Sequence, residues 1–520
     1  MQKKAVSCFH RAQSMKFQTI PSRFFALFFI WVLSDNNESA NVAWADSNND
    51  GDLASIGLVV HWQSNIGGAP LANGPSSFVV WPHSTEKREY VTVRSGNRVI
   101  EQIRGEEVDR MALEKAIENG EKPLKPPTIG LDGAKMKAEK LVATYKILGR
   151  EAEIDTPFSE RLVYAVSLTT NGILETTDAE TGAVIWKTEA GNSALPMFGP
   201  GVSDEYVAVT NGNTLYVYEL LTGNIVTTRT LAFTPTAPPA VLLEKAIVPS
   251  VDGRTVAYDI KNKVIPPVIL RTGTENRLGL TISADHEYFS WPTRNQLILS
   301  RIQKSPKLWS TVKLGEPILA RPIATQSGFL MITITGTVLH CTTSLQDSLL
   351  WKSRLAVQVS QSPIANNDTV FILSDDGLMF ALRLSDGTDA WGHQPKNVRN
   401  LIAVGKQHVY VKDSRNALVS IEIASGLESG RTNLILPNVI PNAISDRLFL
   451  VTSQGQLTCL RETDAKTPTY STAFHGNADA APSQPKNTVE GKSKPAEDDA
   501  SLFEGAGGTD SPDPFSPDPQ

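Results

Sequence analysis

Cysteine is scarce in this chain, with three residues in 520: Cys8, Cys341 and Cys459. That excludes a disulfide-stapled small domain and a paired-cysteine zinc site. H-E-x-x-H, the G-x-S-x-G elbow and the P-loop are also missing, so metalloprotease, serine-hydrolase and nucleotide-triphosphatase chemistry have no motif to rest on. The eight histidines are scattered, and Trp81-Pro82-His83 reads as a turn. The one long apolar run, FFALFFIWVL (24–33), is too short to span a bilayer comfortably. The formal net charge is −6, and without a basic stripe a nucleic-acid partner is not expected. Helical periodicity is nearly absent from 158 to 476.

What fills that space is a unit of about 41 residues, repeated eight times. Its anchor is a Gly or Asn turn at Gly172, Asn213, Gly253, Asn295, Gly336, Gly377, Asn416 and Gly455. Short β-rich runs precede the anchors, as in VFILS (370–374) and LFLVTS (448–453), and an apolar residue usually follows two places on, as at Leu174 and Met379. A second turn recurs as DAETG (178–182), YELLTG (218–223), LSDG (384–387) and IASG (423–426). Four repeats carry a Trp soon after: Trp186, Trp309, Trp351 and Trp391.

A single small sheet cannot bury both faces, but sheets repeated around an axis bury each face against the next. The expected fold is all-β: an eight-bladed β-propeller of four-stranded blades, with a small α/β insertion near the N-terminus. Each Trp then acts as a rigid wedge between blades. The last repeat lacks its Trp, and VVHWQSNIGG (59–68) resembles AVIWKTEAGN (183–192), with Trp62 in the place of Trp186. The N-terminal strand is therefore expected to complete the last blade.

Five segments follow. Residues 1–45 read as a signal peptide, with Lys16 and Arg23 before the apolar run and Ala43-Trp44-Ala45 as the cleavage site; an uncleaved anchor is the alternative. Residues 46–70 hold a linker and the closing strand. Residues 71–155 form the α/β insertion, with helices over 106–120 and 134–149, a strand at 150–154, and the β-like stretch 90–103 placed in this excursion rather than in a ninth blade. Residues 156–476 are the repeats. Residues 477–520 carry nine acids against three bases and many prolines, and read as a disordered tail with isolated Phe503 and Phe515. The insertion suits a docking element for a partner, or a structural decoration.

DSNNDGDL (46–53) sets oxygens at Asp46, Asn48, Asp50 and Asp52 around Gly51, like the first half of a Ca²⁺ loop. The twelfth position is Gly57, which has no carboxylate, so a solvated linker is the favoured reading. No catalytic residue, cofactor or metal ligand is assigned. Cys341 and Cys459 fall in repeats that are not neighbours, so both are expected as free, buried thiols.

DAETGAVIW (178–186) and LSDGTDAW (384–391) resemble the propeller repeat of pyrroloquinoline-quinone proteins. The resemblance covers about 158–476 plus the strand at Trp62, and it implies the propeller more than the cofactor. Quinoprotein dehydrogenases carry an adjacent Cys-Cys pair and tend to be longer; this chain has no such pair. The resemblance extends to a non-enzymatic branch, the propeller scaffold of the outer-membrane β-barrel assembly machine, although no lipidation Cys follows the apolar run here. The function expected is an exported, monomeric scaffold that binds a protein partner in the cell envelope. The alternative is a quinone- or Ca²⁺-dependent oxidoreductase using the central funnel.

Overall fold

The computed structural model describes residues 49–67, 77–96, 98–119 and 127–471, the last without 272, 274, 294–295, 303–305, 344–347, 437, 453 and 466. The leader, Cys8, Asn295 and the acidic tail lie outside the described residues.

The fold is a β-propeller: the strands fall into eight separate antiparallel sheets. The second sheet is typical, with Met197–Val202, Tyr206–Asn211, Thr214–Glu219 and Ile225–Thr230 in sequential order. Its second strand is buried at every position, because both faces meet a neighbouring sheet; its fourth alternates exposed and covered residues at the rim. The sixth sheet departs from four strands. It holds Ile364–Ala365, Thr369–Leu373 and Met379–Arg383, and the place of a fourth strand is taken by an isolated bridge from Leu382 to Asp389.

Among the described residues the core of the ring is not one cluster but eight, one per junction between sheets, with a ninth in the excursion. Tyr164 and Val166 of the first sheet meet Val207 and Val209 of the second. The series ends where Val163 and Ala165 of the first sheet meet Phe449, Val451 and Leu457 of the eighth. Apolar burial thus runs unbroken around the ring.

The second junction device is a tryptophan on a glycine. The indole Nε1 of Trp186 donates to the carbonyl of Leu220 at 2.6 Å, that of Trp351 to Leu384 at 2.7 Å, and that of Trp391 to Ile423 at 2.8 Å. Trp309 donates likewise to Thr343 at 2.8 Å. Each acceptor belongs to the second turn of the following sheet. A Cβ on Gly223 would lie 2.6 Å from Cδ2 of Trp186, and one on Gly426 2.6 Å from Cδ2 of Trp391. The recurrent turn glycine therefore makes room for the neighbour's indole, besides taking positive φ.

The anchors Gly172, Gly253, Gly336, Gly377 and Gly455 all sit at positive φ between the second and third strands of their sheets, as does Asn416. In the second repeat the left-handed residue is Gly212, not Asn213. Cys341 and Cys459 are free and buried, and burial pushes the Cys341 thiol up to about 12.

Leu58–Asn65 is the outermost strand of the eighth sheet, antiparallel to Gln456–Glu462, with Trp62 opposite Cys459. Trp62 repeats the junction contact: its Nε1 donates to Ala179 at 2.9 Å, and a Cβ on Gly182 would lie 2.5 Å from its ring. A bulge between Val60 and Trp62 brings His61 Nε2 to 3.3 Å from Glu180. Arg447, fully buried, grips Glu180 from the eighth sheet at 2.8–3.1 Å and Asp446 at 3.0 Å. Burial opposes ionisation of Glu180, yet His61 and Arg447 hold its pKa below the ordinary value.

Residues 49–55 correct the linker reading. They form helix α1 (Asn49–Ser55), whose Leu53 is buried with Ile402, Tyr410 and Leu448. A second difference concerns the insertion. Ser77–Pro82 pairs with Val163–Leu168 and is the inner strand of the first sheet; the excursion starts only beyond it.

Removal of the closing indole should weaken the whole ring. Trp62→Ala is expected to cost about 3 kcal/mol of unfolding free energy, read by denaturant titration. An unchanged midpoint would show that the N-terminal strand is not part of the cooperative unit.

Candidate functional site

Two features stand apart from the repeats: the channel at the ring's centre and the excursion from the first sheet. The inner-edge segments of the first six sheets and of the eighth line a cavity of about 320 Å³. Its wall is mostly apolar, with Phe78, Val79, Ile282, Ile323, Ile364 and Ile444 from different sheets. Prolines recur at this edge: Pro200, Pro239, Pro322, Pro363 and Pro441. Proline has no N–H to offer a partner strand, so it suits an edge that must stay unpaired. Their spacings of 39, 83, 41 and 78 residues are the repeat period or its double, a signal present in the sequence but overlooked beside the turn glycines.

Polar groups enter the channel at several places, Ser362, Asn442 and Ser471 among them, and its charged and titratable groups come from one. Thr281, Ser283 and His286 come from the fourth sheet, and Arg321 from the start of the fifth. Burial lowers the pKa of His286 against the pull of Asp204 and Asp285. Nearby, Asp204 accepts from Trp81 Nε1 at 2.9 Å, from the Ser84 backbone at 3.1 Å and from the Ser84 hydroxyl. Ser84 therefore meets a carboxylate directly, with no histidine between them to act as base, and this is not a nucleophile site. Among the described residues no cluster of His, Cys, Asp and Glu could hold a metal ion.

The excursion is a long hairpin backed by a helix. Ser77–Ser95 continues past the first sheet and pairs with Arg98–Arg104. Helix α2 (Arg110–Glu118) follows, capped by Asp109, whose carboxylate accepts from Ala112 N at 3.1 Å. Helix α3 (Gly130–Ile147) packs on the hairpin through Ala134 and Ala138, with Leu141 and Val142 beside them, against Val91, Val93 and Ile103. The covered face thus follows Ala134 and Ala138, whereas Met136 and Leu148 are exposed at 59% and 63%.

Its root is held firmly. Glu89 accepts from Leu131 N at the start of α3 at 3.0 Å and from the Ser159 hydroxyl at 3.1 Å. Tyr90 stacks on Phe158 at 4.5 Å between centroids. Arg88 pairs across the strands with Glu160 at 3.2 Å and also with Asp178. Burial, with Glu180 nearby, raises the Glu160 pKa to about 7 despite Arg88. Beyond this root the excursion leaves large apolar side chains uncovered. Helix α2 has no buried residue and exposes Met111 at 80% and Ile117 at 61%; Ile147 of α3 is 85% exposed.

The structural positions foreseen in the sequence divide cleanly. Trp62, Trp186, Trp309, Trp351 and Trp391 stand at sheet junctions, and the five anchor glycines in hairpin turns; none lies among the channel-lining residues. Arg321 and the exposed α2 residues carry no motif, and sequence reading passed over them.

Repeated four-stranded sheets, with turn glycines under a neighbour's tryptophan, define a propeller of the quinoprotein-repeat class. A family model described as outer membrane protein assembly factor BamB matches residues 147–265 and 299–497, and the chain belongs to that family. Among solved structures, BamB from Moraxella catarrhalis is similar at 16% identity with a TM-score of 0.46, covering 57% of this chain and 91% of that one. The computationally designed Ika8 protein is similar at 16% identity with a TM-score of 0.45, covering 58% of this chain and 93% of its own. Among curated proteins none matches.

The raised Glu160 pKa has a definite sign. Between its unfolded value near 4.3 and about 7, the folded chain holds a proton that the unfolded chain has lost, so this group's contribution falls as pH rises through that window. Glu160→Gln should raise the melting temperature at pH 8 by clearly more than at pH 5. A rise at pH 5 equal to that at pH 8 would contradict the assignment.

Proposed function

We propose that this chain is a non-enzymatic propeller scaffold of the cell envelope, carried there by its leader, that serves outer-membrane protein assembly by binding a protein partner. Membership of the BamB family supports the setting. The observation that carries the partner reading is the excursion. A single inserted unit, fixed to the ring at its root, exposes Met111, Ile117, Met136, Ile147 and Leu148. Large apolar side chains gathered on a small protruding unit mark an interaction surface in soluble domains. Methionine suits such a surface because its unbranched side chain adapts to a partner. The firm root favours binding without rearrangement of the ring.

The oxidoreductase reading has less support. The channel wall is mainly apolar and the groups entering it form no acid–base pair with a nucleophile. A stoichiometric quinone absorbance in the purified protein would reinstate it.

The test uses the full-length tagged chain in its own envelope. Met111→Asp with Ile117→Asp changes two exposed positions, so the melting temperature should not move. Recovery of outer-membrane assembly components with the double variant should fall at least tenfold (about 1.4 kcal/mol or more) relative to the native chain. Equal recovery with both would refute the role given to the inserted helices.

A further inference from the structure

We propose that the central channel is a binding site for a small monocarboxylate with an apolar body, its carboxylate paired with Arg321. This stands independently of the partner reading.

Arg321 begins the inner edge of the fifth sheet, immediately before Pro322. Its Nε donates to Thr281 Oγ1 at 3.3 Å and its Nη2 to the carbonyl of Leu280. Both acceptors are neutral, and among the described residues no carboxylate stands at ion-pair distance. Burial lowers its pKa, and no opposing charge contributes. Yet the side chain keeps open surface, and that surface faces the channel it lines. Arg447, by contrast, is fully buried and holds two carboxylates, Glu180 and Asp446.

A guanidinium does not shed its proton near neutrality, so Arg321 presents a fixed positive charge to the channel. The charge is fixed, and an anion entering the channel would replace a missing partner. The guanidinium fork matches a carboxylate in shape, and Nη1 has no acceptor among the described residues. The surrounding wall sets the rest of the ligand. Phe78, Val79, Ile282 and Ile364 offer apolar surface, and no second arginine or lysine lines the cavity. His286 does, but burial holds its pKa below the ordinary value, toward the neutral ring. One fixed cation on an apolar wall suits one negative charge on an apolar body. A volume of about 320 Å³ admits a molecule of modest size, at the lower end of ligand pockets.

The experiment is calorimetric titration of the full chain with octanoate, alongside acetate and octanol. Octanoate should bind saturably at one site. Acetate, which lacks the body, and octanol, which lacks the charge, should bind at least tenfold more weakly. Arg321→Gln should lower octanoate affinity at least tenfold and leave octanol binding unchanged, without lowering the melting temperature, since Arg321 is exposed and is in no ion pair with a described carboxylate. Arg321→Lys should restore part of the affinity. Lack of saturable octanoate binding by the native chain, or equal octanoate affinity in the native and Arg321→Gln proteins, overturns the proposal. The Met111→Asp/Ile117→Asp protein should bind octanoate normally, which separates this result from any failure of the partner reading.

Discussion

An indole seated on the turn glycine of the next sheet is the contact on which the structure depends. It combines three requirements in one place. The large apolar ring leaves water, its one polar group finds a carbonyl, and the turn beneath gives up its side chain to admit it. Neither partner works alone: a Cβ on the glycine would occupy the space of the ring. Because donor and acceptor lie in successive sheets, the contact holds neighbours at a set spacing, and its hydrogen bond recurs at five of the eight junctions among the described residues.

Closure follows from the same contact. The N-terminal strand brings Trp62 to Gly182 and so makes the junction between the last sheet and the first like those at Trp186, Trp351 and Trp391. That junction also holds a buried charge network, in which Arg447, Glu180, Asp446 and His61 join segments from both ends of the ring. Buried ion pairs add little net stability but penalise mispairing heavily, because a lone partner left in the interior is costly. A junction between distant parts of the chain has the greatest need for such register control.

With the ring fixed by its junctions, the chemistry is left to what the junctions do not use. The excursion leaves the first sheet through one continuous strand and exposes apolar helices beyond it. The inner edges, kept unpaired by prolines, leave a narrow apolar channel with one cation. These are separate surfaces, and nothing in the repeat dictates either of them.

The repeat, the turn glycines and the strand at Trp62 were legible in the sequence because each recurs at a constant spacing that one-dimensional reading can detect. Residues 77–82 were assigned to the excursion because their partner strand begins some eighty residues later, and no local pattern spans that distance. Leu53 in α1 looked like part of a solvated linker because the pocket receiving it comes from Ile402, Tyr410 and Leu448. Helical spacing alone does not say whether Ala138 or Met136 of α3 meets a sheet, and the structure seats Ala138. The isolation of Arg321 is the extreme case: it consists of what fails to come near, and a sequence does not record absences in space. The sequence by itself therefore determined the repeating unit and its turns, which follow from local backbone geometry. Only the tertiary structure decided the closing network, the exposed helices and the solitary channel charge, because each depends on which distant residues share a place.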